Sequence, residues 1–332
     1  MTPPASPDAA LAALAALATR RLLIVSGKGG VGRTAVSAML GLSLARRGRR
    51  VLVATIGPDD RLAWMLGADR LESTPTAIAG TLYVQRVVPQ VCIREYGALM
   101  LKSDRLSGAV FDNKIMRRLM RSIPGLDDFA VLGKLWHEAC RARSFDTVIF
   151  DGPATGHLRY ALGLPRTILE TITVGPLHKE ASLMQSHLED PAQTQAVLVG
   201  LPERWPLTEL GELAAVLRSE IHVDIGAILI NGLWPGGLPE LAPPTADEDP
   251  AGTVAPVFSA VTTMAQQRRR QERGIAAWLA SERSAGRSTP PVLTLPWRWH
   301  GLGGLGDMDD LLRRAASVDA IADAATAAKE PA

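Results

Sequence analysis

Six short runs rich in apolar and β-branched residues recur along the chain: LLIVS (22–26), RVLVAT (50–55), TVIFD (147–151), AVLVGL (196–201), AILIN (227–231) and VLTLP (292–296), with helical patterns between them. Runs without polar alternation belong to strands buried on both faces, as in parallel sheets. Parallel neighbours need a crossover, and GRTAVSAMLGLSLARRG, closed by Gly48, supplies one as a helix. The pattern predicts an α/β fold, a doubly wound, mostly parallel sheet with helices on its faces. Ligands of such sheets sit at the C-terminal ends of the strands.

The first run leads directly into GKGGVGRT and then into the helical pattern. Against G-x-x-x-x-G-K-[ST], Gly27 and Gly32 take the glycine places and Thr34 the hydroxyl place, while Arg33 stands where a lysine reaches the outer phosphates. Gly27, Lys28, Gly29, Gly30, Val31, Gly32, Arg33 and Thr34 therefore form a candidate phosphate cradle, built from backbone N–H groups and a helix N-terminus. A guanidinium is wider than an ammonium, planar and five-donor, so Arg33 changes the phosphate clamp while keeping its charge. Thr34 and Asp151, the latter at the end of the third run, are candidates to hold Mg²⁺, Asp151 through water.

The expected organisation is an Ala-rich extension over residues 1–20, one domain over 21–325 and a tail over 326–332. The extension reads as a short helix laying Leu11, Leu14 and Leu17 on the domain; it is too short for a membrane span, and no basic residue precedes its apolar stretch. Two blocks, about 93–143 and 165–190, read as an inserted helical subdomain, because so long a connection exceeds a simple crossover. Residues 233–256, dense in Pro, Gly and acids, have the composition of a mobile loop. Within the helical block, Leu99, Met100, Met116, Leu119 and Met120 fit core packing better than a groove for an apolar client.

Thirty-six Lys and Arg against 34 Asp and Glu leave a formal charge of +2, which argues against nucleic acid as a partner. The two cysteines, Cys92 and Cys140, lie far apart and outside any C-x-x-C, so no zinc clasp is indicated and a reducing, cytoplasmic location is expected. His137, His178, His187, His222 and His300 have no metal-ligand spacing. The tail SVDAIADAATAAKEPA lacks the basic amphipathic face of a membrane-docking helix.

Lys28, beside Gly27, resembles the signature lysine of the deviant P-loop (SIMIBI-class) NTPases. FDTVIFDGPATGHLRYALGLPR resembles the second switch of their ArsA-type branch, the arsenite-pump and guided-entry ATPases, with Asp151, Thr155, Gly156 and His157 on its pattern. VLVGLPERWPLTELGELAAVLRSEIHVDIGAILING, SIPGLDDFAVLGKLW and VLTLPWRWHGLGGL resemble further blocks of that family, extending the resemblance over about residues 20–320. It implies ATP or ADP with Mg²⁺ as cofactors and a nucleotide-controlled dimer in which Lys28 reaches the partner's nucleotide. It also assigns Asn231 and the Pro296 loop to the adenine side, and phosphate chemistry to Lys28, Arg33 and Asp151. His157 would sense the terminal phosphate; Trp297 and Trp299 would wall the base or simply pack.

Two departures bear on chemistry. Besides Arg33, the first-switch pattern D-P-A-H-S-L aligns with GPDDRL (57–62), which puts Gly57 at the water-orienting aspartate and leaves Asp59 or Asp60 as late substitutes. Weak or absent hydrolysis is expected. The chain is expected to be the catalytically reduced partner of an intact paralogous ATPase, a heterodimer being favoured over a homodimer. The alternative is an active ATPase that targets hydrophobic or membrane proteins or energises an anion or metalloid exporter. An iron-sulfur cluster is not expected, because Cys140 precedes the second-switch strand, whereas the second cysteine of the iron-protein relatives follows it.

Overall fold

In the computed structural model the residues described are 7–101, 126–153, 155–238, 242–245, 253–287 and 290–318. The strands among them are β1 (Leu22–Gly27), β2 (Val51–Thr55), β3 (Thr76–Ala79), β4 (Leu82–Arg86), β5 (Thr147–Asp151), β6 (Thr194–Gly200), β7 (Ile225–Leu233), β8 (Val292–Pro296) and β9 (Ala316–Ser317). They form one sheet in the order β3-β4-β2-β5-β1-β6-β7-β8-β9. The core is parallel, and only the edge strands β3 and β9 run antiparallel. All six runs seen in the sequence are strands. The other three escaped notice because β3 is only half-buried, β4 carries Gln85 and Arg86, and β9 has two residues.

Every residue of β1, β2, β5 and β6 is buried. Side chains nevertheless alternate: Leu22 and Ile24 enter one hydrophobic layer, and Leu23 and Val25 enter the other. The second layer is closed by α1 (Pro7–Leu17), α2 (Arg33–Arg46), α3 (Arg61–Met65) and α10 (Leu305–Arg313). The Ala-rich extension thus contributes to the core, with Ala10, Leu14 and Leu17 fully or almost fully buried. The crossover helix α2 ends as expected, and Gly48 just beyond it has φ 79°.

The first layer is covered by α4 (Pro89–Leu101), α5 (Leu126–Trp136) with a π turn over His137–Arg141, α6 (Thr155–Thr171), α7 (Pro176–Glu189), α8 (Arg204–Val216) and α9 (Val254–Ser284). Cys92, Phe129, Leu132 and Trp136 share one cluster with Leu22 and Leu52, so the described parts of the helical block pack on the sheet itself. Met116, Leu119 and Met120 lie outside the described residues; Leu99 and Met100 lie in α4. Much of the run 233–256 is likewise outside them, while Leu233 closes β7 and Val254 opens α9. Pro165 sits inside α6, which begins ten residues before the block expected at 165.

Candidate nucleotide-binding site

The loop after β1 lies at the point where the strand order reverses: β5 and β2 flank β1 on one side, and β6 and β7 on the other. That is where a doubly wound sheet opens a crevice. Gly27 must lack a side chain, because a Cβ there would stand 2.1 Å from the Val199 carbonyl oxygen on β6. Gly32 caps α2 in the left-handed region at φ 94°, and a Cβ on it would meet Asn231 Nδ2 at 2.2 Å. Asn231 donates that amide to the Val31 carbonyl at 2.9 Å, so the residue assigned by resemblance to adenine also braces the loop. Lys28 to Gly32 span the turn, and Arg33 and Thr34 open the helix.

On the other side of β1, Asp151 lies in register with Val25 and Thr55. Thr34 Oγ1 donates to Asp151 Oδ2 at 2.8 Å, and Ser37 Oγ donates to Oδ1 at 3.3 Å. Burial raises the Asp151 pKa above its ordinary value; the Thr34 hydrogen bond, the Arg33 charge, and hydrogen bonds from Thr55 and Ser37 pull it back down. This buried carboxylate beside a hydroxyl fits a hard divalent cation that takes its remaining ligands from water and phosphate. Mg²⁺ there would neutralise Asp151 and phosphate charge together. Ser37 and Thr55 were not singled out in the sequence, although Ser37 follows Thr34 by one helical turn and Thr55 ends a strand beside β5.

Arg33 does not reach into open space. Its Nη1 donates to the carbonyl of Gly152, which follows Asp151 in the second-switch stretch. A cavity of about 330 Å³ opens beyond it, lined by Arg33, Thr34, Thr55, Ile56, Gly57, Asp59, Arg61, Leu62, Asp151, Gly152 and Pro153. Of the two late first-switch carboxylates, Asp59 borders this cavity. Asp60 accepts from the Leu71 backbone N–H at 2.8 Å and pairs with Arg86, so it is held against another part of the fold.

Lys28 forms an ion pair with Glu209 of α8. Nothing in the sequence signals that pairing, which joins positions 181 residues apart. Pro296 ends β8, and the next residue, Trp297, donates its N–H to Leu233 O at 2.8 Å. Trp234 stacks on Trp297 at 6.5 Å between centroids and meets Trp299 edge-on at 5.4 Å, so both indoles pack while remaining about half exposed. His157 is exposed at the start of α6, and its charge acts on Asp128 of α5. Cys92 and Cys140 are buried free thiols, pushed up to about 12 and about 11 by burial. No helix among the described residues is long and apolar enough to cross a membrane.

A buried parallel strand, a glycine loop opening a helix and a carboxylate on the adjacent strand define a P-loop nucleotide-binding protein. Comparison with known proteins narrows this. The family model of anion-transporting ATPases matches residues 20–185, half of the chain. The chain belongs to that ArsA-type family. It is 27% identical to ATPase BagA of Mycobacterium tuberculosis over 229 residues, 66% of either chain. It is 29% identical to the arsenical pump-driving ATPase of Acidiphilium multivorum over 236 residues, 64% of this chain and 39% of that protein. An arsenical pump-driving ATPase of Escherichia coli is 28% identical over 226 residues, 64% of this chain and 35% of that protein. The matches span just under two thirds of BagA and little more than a third of the arsenical pump ATPases.

Proposed function

We propose that this chain is an ATP-binding, Mg²⁺-dependent member of the family that works as a nucleotide-controlled dimer, with hydrolysis reduced relative to an intact paralogous ATPase partner. One observation carries the reading: the cavity beside Thr34 and Asp151 has Gly57 where the family's first switch has its aspartate, and Asp60 is engaged by Leu71 and Arg86. Arg33, bonded to the Gly152 carbonyl, adds to the argument, since a phosphate must draw it from that partner. Phosphoryl transfer depends on positioning and charge stabilisation, and both supports are altered here, while the backbone cradle for binding is retained. In a dimer, Lys28 would leave Glu209 and pair with the facing subunit's phosphate. Two buried free thiols are consistent with work in a reducing, cytoplasmic compartment.

Asp59 favours a second reading, an active ATPase that serves a hydrophobic client or an anion exporter, because this carboxylate borders the cavity and could orient water from its later position. Calorimetric titration with ATP and Mg²⁺, paired with phosphate-release assays on the isolated chain, separates the two. Binding with turnover far below ~1 s⁻¹ supports the reduced subunit, and turnover at or above that rate favours the second reading. Absence of binding at millimolar ATP would defeat both.

A further inference from the structure

We infer that Arg61, on the first switch, is a binding residue for the terminal phosphate and makes the site select nucleoside triphosphate over diphosphate. The inference rests on the nucleotide-binding reading above and adds to it a residue that the P-loop does not contain.

Topology gives the site a direction. Asn231 ends its run on β7, to one side of β1, and braces the loop at Val31. Asp151 on β5 and Thr55 on β2 lie to the other side. A nucleotide with its phosphates on the loop and its base toward Asn231 would therefore direct its last phosphate toward β5 and β2. The cavity of about 330 Å³ lies on that side, continuous from Arg33 and Thr34 past Gly57 to Arg61.

Charge decides what this cavity can hold. Its lining contains two cations, Arg33 and Arg61, and two carboxylates, Asp59 and Asp151. Mg²⁺ on Thr34 and Asp151 would cancel one carboxylate, leaving the far wall to Asp59 and Arg61. Arg33 is already committed to the Gly152 carbonyl. Arg61 is held loosely: its Nε lies 3.3 Å from Asp59 Oδ2, and the two side chains are 71% and 51% exposed. A pair so open to water contributes little, so a phosphate dianion can replace Asp59 as the partner of the guanidinium. Gly57 adds no side chain of its own to the cavity wall between β2 and Arg61. Where the family pattern D-P-A-H-S-L has serine, this chain has Arg61; where it has the water-orienting aspartate, this chain has Gly57. The carboxylate lost at Gly57 is offset by Asp59, which stands where the pattern has alanine, and Arg61 adds a cation, so the wall gains one positive charge, which favours holding a terminal phosphate.

The test is calorimetric affinity for ADP and for the non-hydrolysable analogue adenylyl imidodiphosphate, both with Mg²⁺, in the unaltered chain, Arg61→Gln and Arg61→Lys. Because Arg61 is mostly exposed, neither variant threatens the fold, and thermal melts check this. Loss of one charge-assisted contact predicts that Arg61→Gln weakens the triphosphate analogue about tenfold and ADP less than twofold, with partial recovery in Arg61→Lys. Equal weakening of both ligands, or no change in either, overturns the assignment of Arg61 while leaving nucleotide binding intact. If the unaltered chain binds neither ligand, the nucleotide-binding reading falls, and this inference falls with it.

Discussion

A Cβ added at Gly57 would meet only Thr55 Oγ1, at 3.5 Å, an ordinary contact, and the backbone there lies outside the left-handed region. An aspartate can therefore be restored without strain. Arg33→Lys with Gly57→Asp is expected to raise phosphate release at least tenfold, and by more than the product of the single effects, because both groups act on one transition state. Strictly multiplicative effects would mean that the two groups act independently, and no gain from either change would mean that the site is limited elsewhere. Asp151 shows the opposite balance, since burial raises its pKa. The stability such a group contributes is present below the ordinary aspartate pKa and is lost as pH rises through the raised value, so burial of Asp151 costs stability on the alkaline side of that window. Asp151→Asn should raise the melting temperature at pH 7 and abolish the Mg²⁺-dependent part of ATP affinity; an unchanged Mg²⁺ dependence would remove Asp151 from the metal site. The turn from β1 into α2 was legible because Gly27 to Thr34 are contiguous and chemically distinctive. Ser37, Thr55 and Glu209 were not, because ordinary residues gain roles only through their neighbours in space.

At the level of elements, α5 and α7 are joined by a hydrogen bond from fully buried Trp136 Nε1 to His187 Nδ1, 2.9 Å long. The acceptor must be unprotonated, and burial holds the His187 pKa below 6.5, with Asp190 raising it and Arg143 lowering it. A depressed histidine contributes stability that is complete above its unfolded pKa of about 6.5 and is lost as pH falls through the folded value. Melting temperature should therefore drop between pH 7.5 and 5, and His187→Gln, which can accept without titrating, should flatten that slope. His137, also lowered by burial, acts with the same sign, so the difference between the two proteins is the measure. An unchanged slope would exclude His187 as a source. Central strands could be read from the sequence because burial on both faces leaves uninterrupted apolar runs. Edge strands β3 and β9 could not, since short and half-exposed segments have little apolar signal.

For the whole molecule, the proposed dimer turns on the ion pair between Lys28 and Glu209, whose side chains are 59% and 29% exposed. An exposed pair is worth up to about 1 kcal/mol, little enough for a phosphate to outcompete. ATP should tighten association of the chain with itself or with an intact paralogue more than ADP does. Glu209→Gln should strengthen that effect about two- to fivefold, and Lys28→Ala should abolish it in sedimentation experiments. If Lys28→Ala leaves ATP-dependent association unchanged, Lys28 is a surface charge held by Glu209. The sequence by itself determined the α/β class, the six principal strands and the glycine-rich turn from β1 into α2, because each is written in local periodicity or in adjacent residues. Only the tertiary structure decided that Arg33 binds the Gly152 carbonyl, that Asp60 is held by Leu71 and Arg86, that Asn231 braces Val31, and that Arg61 borders the cavity. Those pairings depend on how parallel strands distant in sequence are ordered across the sheet, and strand order leaves no local mark in the chain.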